Sequence, residues 1–328
     1  MIQNAPFLTV MDALLDESKP FPGHYLHRFS DLEPVDLKKL IKTWPEVSPR
    51  RKHSLLDDLE DLAEADKLAS FDDLARSLLA DGDPQVRLRA IRLLWDCEDA
   101  KLIPEFLNIL NADEDVEVQA TAANVLGQFV YLGELDKIPA ELHHEIEDQL
   151  LTVTTSTKET LVRRRALESL GYSGRPEVVP LIEAAYHHKD TDWMASALVT
   201  MGRSCDERWR KQVLAQLRAP DEDVRSEAIN AAGELELESA RPVLLDLLAD
   251  EDEPEVRHEL IWALSKIGGE GVRAKLEELQ ELEEKDEEGD FIEEALDVLT
   301  LTEEMATFSL FDVDPEVDFI EEEPDEEE

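Results

Sequence analysis

Among 328 residues the chain has only 12 glycines, 6% aromatics and two cysteines. Scarce glycine and aromatics beside abundant Ala, Leu and Glu argue against a turn-rich β-sandwich or barrel and favour helix. Cys97 and Cys205 are too few for a disulfide framework, so two partly buried thiols in a reducing compartment are expected. No apolar run approaches the roughly 20 residues of a membrane span. The apolar stretch 5–15 is interrupted by Asp12 and has no cationic region before it, so a secretory signal is not expected either. Positive charge is also short, with 33 Lys and Arg against 79 Asp and Glu and a net charge of −46. Nucleic acid and anionic membrane are thereby disfavoured as main partners, because such binding draws its energy from cations that neutralise phosphates. The last 48 residues hold 23 acidic residues and one Lys, which leaves −24 on the rest, so the acidity is not only a property of the tail. A soluble, cytoplasmic monomer is expected.

What the chain does have is a repeat. Asp83, Asp115, Glu159, Asp190, Asp221 and Glu253 recur at intervals of 32, 44, 31, 31 and 32 residues. Three positions after each stands Val86, Val118, Val162, Trp193, Val224 or Val256. Seven positions on come Ala90, Ala122, Ala166, Ala197, Ala228 and Leu260, and eleven on come Leu94, Leu126, Leu170, Met201, Ala232 and Leu264. Steps of four make one apolar stripe on a helix, and alanine at its centre permits close approach of a neighbour. Gly127, Gly171, Gly202 and Gly233 follow the stripe, where they are expected as helix C-caps at positive φ. Pro104, Pro180 and Pro242 fall 21 residues after their acidic residue, in the first turn of a second helix, where a missing N–H costs little. The interval of 44 stretches one unit across 129–156, which makes that region a candidate for a special feature.

The ends differ from the repeats. Residues 1–30 read as irregular, with Pro20-Phe21-Pro22-Gly23 as a linker or wrap. Residues 31–80 read as a helical cap or degenerate repeat. It holds a helix at 34–43, a second opened by Ser48 as N-cap with Pro49 at the first helical position, and a third near 71–79. Repeats fill 81–282 and a capping helix falls in 283–305. The acidic stretch 306–328 is expected to be disordered.

The segments DPQVRLRAIRLL at 83–94 and EPEVRHELIWAL at 253–264 resemble HEAT repeats, and the short period resembles the HEAT-like repeats of phycobilin lyases. The resemblance covers roughly 81–282 and implies an all-α, right-handed superhelix of the HEAT-like or armadillo type, a fold that serves many functions. It further implies a structural ladder along the stack, in which the acidic turn residue interacts with the Arg after the Val of its own or a neighbouring unit. Asp83 with Arg87, Glu159 with Arg163, Asp221 with Arg225 and Glu253 with Arg257 fit that pattern, whereas Gln119 and Met194 break it.

Function then lies in what the stack leaves over. By the same resemblance the first helix of each unit lines a concave face, whose outward positions include Arg89, Arg92, Arg164, Arg165, Glu227, Asn230 and Trp262. One or more protein partners are expected there, and the arginine-rich early part suits an acidic segment such as the chain's own tail. His258-Glu259 resembles the His-Glu motifs with which deoxyhypusine hydroxylase, a HEAT-like protein, holds two irons. The equivalent positions of the other repeats lack such pairs, and His144-Glu145 is out of phase. No catalytic residue, cofactor or phosphate-binding loop is identified. The reading is a non-enzymatic interaction scaffold, with a phycobilin-lyase-like chromophore-handling factor as alternative and a metal hydroxylase as the weaker one.

Overall fold

The computed structural model describes residues 6–282 and 287–311, and among them every regular element is a helix. They form two compact units, Met1–Ser204 and Cys205–Glu328. In the first unit, α1 (Phe7–Leu15), α2 (Pro34–Thr43), α3 (Pro49–Ala65) and α4 (Asp72–Leu78) precede α5 (Pro84–Leu93), α6 (Ile103–Ala112), α7 (Val116–Glu134) and α8 (Ala140–Thr155). The unit ends with α9 (Thr160–Ser169), α10 (Val178–Tyr186) and α11 (Thr191–Arg203). The second unit contains α12 (Arg210–Gln216), α13 (Glu222–Glu234), α14 (Arg241–Asp250), α15 (Pro254–Ile267), α16 (Val272–Leu282) and α17 (Glu287–Phe311).

Each unit has the two layers of a helical solenoid. In the first, α3, α5, α7, α9 and α11 pack side by side as a row, while α4, α6, α8 and α10 each run back against the row helix that follows. In the second, α13, α15 and α17 form the row, and α12, α14 and α16 are the return helices. The acidic residue of every repeat is the N-cap of its row helix, from Asp83 on α5 to Glu253 on α15. The whole stripe is buried, including Val86, Ala90, Leu94, Val224, Ala228 and Ala232. Pro104 and Pro242 occupy the first turns of α6 and α14, where no intrahelical N–H is needed. The long interval is absorbed by α7 and α8, of 19 and 16 residues.

Three expectations need correction. Within 1–30, residues Phe7–Leu15 are helical rather than irregular. Phe7, Val10, Met11 and Leu14 share one buried face, and the Asp12 that interrupts the run points outward. The region read as a tail from 306 is helical through Phe311, and residues 312–328 lie outside the described residues, as do 1–5 and 283–286. Helix α17 extends the row. Its buried Ile292, Ala295 and Leu299 stand 32 residues after Leu260, Ala263 and Ile267 of α15.

The third correction concerns glycine. Gly127, Gly202 and Gly233 lie inside α7, α11 and α13, and Gly171 in the short 3-10 turn after α9. None has positive φ; the left-handed position is taken by Asp136, two residues after the end of α7, and by Cys205 and Glu236, three residues after Gly202 and Gly233. The need is for close approach instead. A Cβ on Gly233 would lie 2.8 Å from Ala263 Cα on α15, and one on Gly127 would lie 2.8 Å from Ser169 Oγ on α9.

Candidate functional site on the row helices

The N-cap aspartates close their helices. Asp115 accepts from the backbone N–H of Glu117 at 2.9 Å and of Val118 at 3.2 Å, and Asp83, Asp190 and Asp221 each accept one such bond. Glu159 and Glu253 make no side-chain cap bond, because the extra methylene carries the carboxylate past the N–H groups. The residue two places earlier shapes the turn: Asp81 Oδ1 accepts from Asp83 N–H and Asp113 Oδ1 from Asp115 N–H, both at 2.9 Å.

The ladder therefore differs from the expected pairing. Arg87 does not pair with Asp83. Its guanidinium forks onto Asp113 at 2.8 and 2.7 Å and donates to its own turn at Asp81 O, while Asp83 takes His53 at 2.7 Å. Arg225 likewise donates to Ala219 O, and Gln119, read as a break in the ladder, donates to the equivalent Asp113 O. Arg163 donates to Thr154 O and lies 5.2 Å from the ring centroid of Trp193, and Arg257 pairs with Glu288 on α17 at 2.8 Å. Burial alone would raise the Asp113 carboxyl, but the Arg87 fork and the Asp115 N–H outweigh it and hold it below the usual carboxylate value.

The arginines assigned to a partner are largely engaged between row helices. Arg89 pairs with Asp57 on α3 at 2.6 Å, and Arg164 with Asp192 and Ser196 on α11. Both side chains are mostly buried. Arg165 pairs with Glu168 at 2.6 Å. Glu227 and Asn230 are half-buried on α13, and Trp262 is half-buried between Lys266 and Phe291. Arg92 is different: its side chain is half exposed and reaches Glu60 only at 3.9 Å.

Arg92 belongs to a cleft of about 680 Å³ between α3, α4 and the end of α5. Glu60, Glu64, Lys67, Asp72, Asp96 and Trp95 line it, so acid outnumbers base, and Trp95 is 41% exposed. Burial raises the Glu60 carboxyl against the opposing pull of Arg92. At the cleft wall, burial raises the Cys97 thiol, which accepts from Arg76 at 3.3 Å. Neither Cys97 nor Cys205 is in a disulfide, and burial also raises the Cys205 thiol. No helix among the described residues is long and apolar enough to cross a membrane.

The His258 ring packs on Phe291 at 4.4 Å, Glu259 accepts from Ser226, and neither residue belongs to a group of three metal-competent side chains among the described residues. Such a group forms instead in the long second repeat, from Glu134, His143 and Glu147. The sequence contained a partial signal for it. His143 and Glu147 stand four apart in the stretched unit, on one helix face, but no spacing points to Glu134.

The HEAT-repeat model matches residues 72–140 and 210–299, and the PBS lyase HEAT-like repeat model matches 162–188. No curated protein matches the chain. Among solved structures it is similar to Escherichia coli YibA, with 19% identity over 86% of this chain and 98% of that one at a TM-score of 0.42. It is similar also to human deoxyhypusine hydroxylase in complex with glycerol, with 19% identity over 80% and 95% at a TM-score of 0.35. Importin beta matches with 12% identity over 94% of this chain and 49% of its own, at a TM-score of 0.42. The two repeat models together match more than half of the residues, and they fall on the helices that share caps and stripe. The chain is a HEAT-repeat protein that includes a PBS lyase HEAT-like repeat.

Proposed function

We propose that this HEAT-repeat protein is a scaffold that binds another protein through its row helices, and that the contact centres on the cleft beside Trp95. The observation that carries this reading is an exposed tryptophan at the edge of a concave, acid-rich cleft. Tryptophan supplies much contact area at low entropic cost and is a recurrent anchor of interfaces.

The engaged arginines change the kind of partner. Arg89 and Arg164 already hold Asp57 and Asp192, so they offer little to an acidic segment. The cleft, with Glu60, Glu64, Asp72 and Asp96 against Lys67 and Arg92, suits a segment bearing Lys or Arg beside an apolar residue. A cation over the Trp95 ring adds about 0.5–2 kcal/mol.

The test is quantitative capture of binding proteins from native extract by wild type and variants, read by mass spectrometry. Trp95→Ala and Glu64→Lys each reduce recovery of the bound protein at least tenfold, and Glu105→Lys on α6 does not. Recovery unchanged by both cleft variants, with the fold intact by circular dichroism, contradicts the reading.

A further inference from the structure

The longest row helix, α7, ends where the long return helix α8 folds back on it, and the two bring three metal-competent side chains together. Glu134 sits in the last turn of α7, and His143 and Glu147 lie one turn apart on α8. His143 Nε2 lies 3.8 Å from Glu134 Oε1 and 3.7 Å from Glu147 Oε1. All three donor atoms fall within 4.8 Å of one another. Ligands on a zinc-like ion with bonds of about 2.0–2.2 Å stand about 3–3.5 Å apart, so closure requires movements on the order of 1 Å or less.

Two independent observations point to a cation. First, His143 Nε2 is buried without a hydrogen-bond partner, although two carboxylates face it. An orphaned buried nitrogen costs about 1–3 kcal/mol, and neither carboxylate lies close enough to accept a hydrogen bond from it. Second, Glu147 is 2% exposed, and the neutral Ser173 hydroxyl that bonds it supplies no countercharge, so its charge is left to His143 or a bound cation. The surroundings orient the set. Ser173 donates to Glu147 Oε1 at 2.5 Å, and Gly174 N–H donates to Glu134 Oε1 at 2.8 Å. A Cβ on Gly133 would come within 2.3 Å of the His143 ring, so the glycine makes room for the imidazole.

We propose that Glu134, His143 and Glu147 bind one divalent transition-metal ion, which clasps α7 and α8 to the turn at 173–174. One imidazole and two carboxylates suit a first-row ion such as zinc or manganese, with water completing the coordination from the side where Glu134 meets solvent. The ion stabilises the stretched repeat, because it binds the folded arrangement and not the unfolded chain.

The experiment uses the full chain, stripped with chelator and titrated with zinc chloride by calorimetry, with thermal unfolding in parallel. Wild type binds one equivalent, and its melting midpoint rises by several degrees at a hundredfold excess over Kd. His143→Ala and Glu134→Gln each weaken binding at least tenfold, while His144→Ala, an exposed neighbour on the same helix, leaves it unchanged. If His143→Ala fails to fold, Glu134→Gln decides, since that side chain is more than one-third exposed. No saturable binding by wild type, binding that survives both ligand variants, or binding lost in His144→Ala overturns the proposal.

Discussion

One methylene separates aspartate from glutamate, and at the helix starts of this chain it decides whether a cap forms. Asp83, Asp115, Asp190 and Asp221 reach a backbone N–H of the first turn, whereas Glu159 and Glu253 do not. Replacing Asp115 by Ala leaves two N–H groups without their acceptor and costs about 1 kcal/mol. Glu159→Asp restores a cap and stabilises by up to about 1 kcal/mol. Urea unfolding of the two variants is expected to move the midpoint in opposite directions, and shifts of the same sign would refute the assignment. The repeat phase made these six residues legible as the acidic turns of the repeats. Which of them bond was not legible, because the distinction rests on side-chain length against a fixed backbone.

At the scale of the helix, glycine serves closeness and charge serves the joint between repeats. A Cβ at Gly233 meets backbone and side chain of Ala263, and backbone cannot yield cheaply. Gly233→Ala is therefore expected to destabilise by about 1–3 kcal/mol. Glu236→Gly is expected to stabilise by about 0.5–1 kcal/mol, since Glu236 holds φ +48°. Thermal unfolding of the pair checks both signs. The sequence placed these glycines correctly at the ends of the stripes, but it could not show that the chain continues helical past them. The left-handed residue is Asp, Cys or Glu rather than the glycine that marks such a position. The joint behaves similarly. Arg87 and Asp83 stand four apart and looked like partners, yet Arg87 reaches the turn of the following repeat at Asp113. Asp113 is held below its unfolded value, so its contribution is present above the unfolded pKa of about 3.9 and is lost as pH falls through the folded one. Asp113→Asn is expected to lower stability at neutral pH by about 3 kcal/mol and to flatten the loss of stability below about pH 5. An acid limb as steep as that of wild type would rule out this role for the pair.

At the scale of the whole chain, six matching caps and stripes specified an all-helical repeat fold because each repeat encodes its own helix pair, so the pattern is written six times. The proposed binding surface is written once. Arg89, Arg92, Arg164 and Arg165 read alike along the sequence, and only the positions of Asp57, Glu60, Asp192 and Glu168 separate engaged cations from the more available one. Trp95 belongs to no stripe and becomes notable through the cleft that α3 and α4 build beside it. With a net charge of −46, the chain would attract a cationic partner from a distance under the proposed function, and the acid-rich cleft would be where that attraction ends. The most direct measurement is site-specific photo-crosslinking in native extract, with a photoreactive amino acid at position 95 or at exposed position 105 on α6. A discrete adduct with one protein from position 95, weakened by raised salt and absent from position 105, is the predicted result. Equal crosslinking from both positions, or none from position 95, would contradict binding at this cleft.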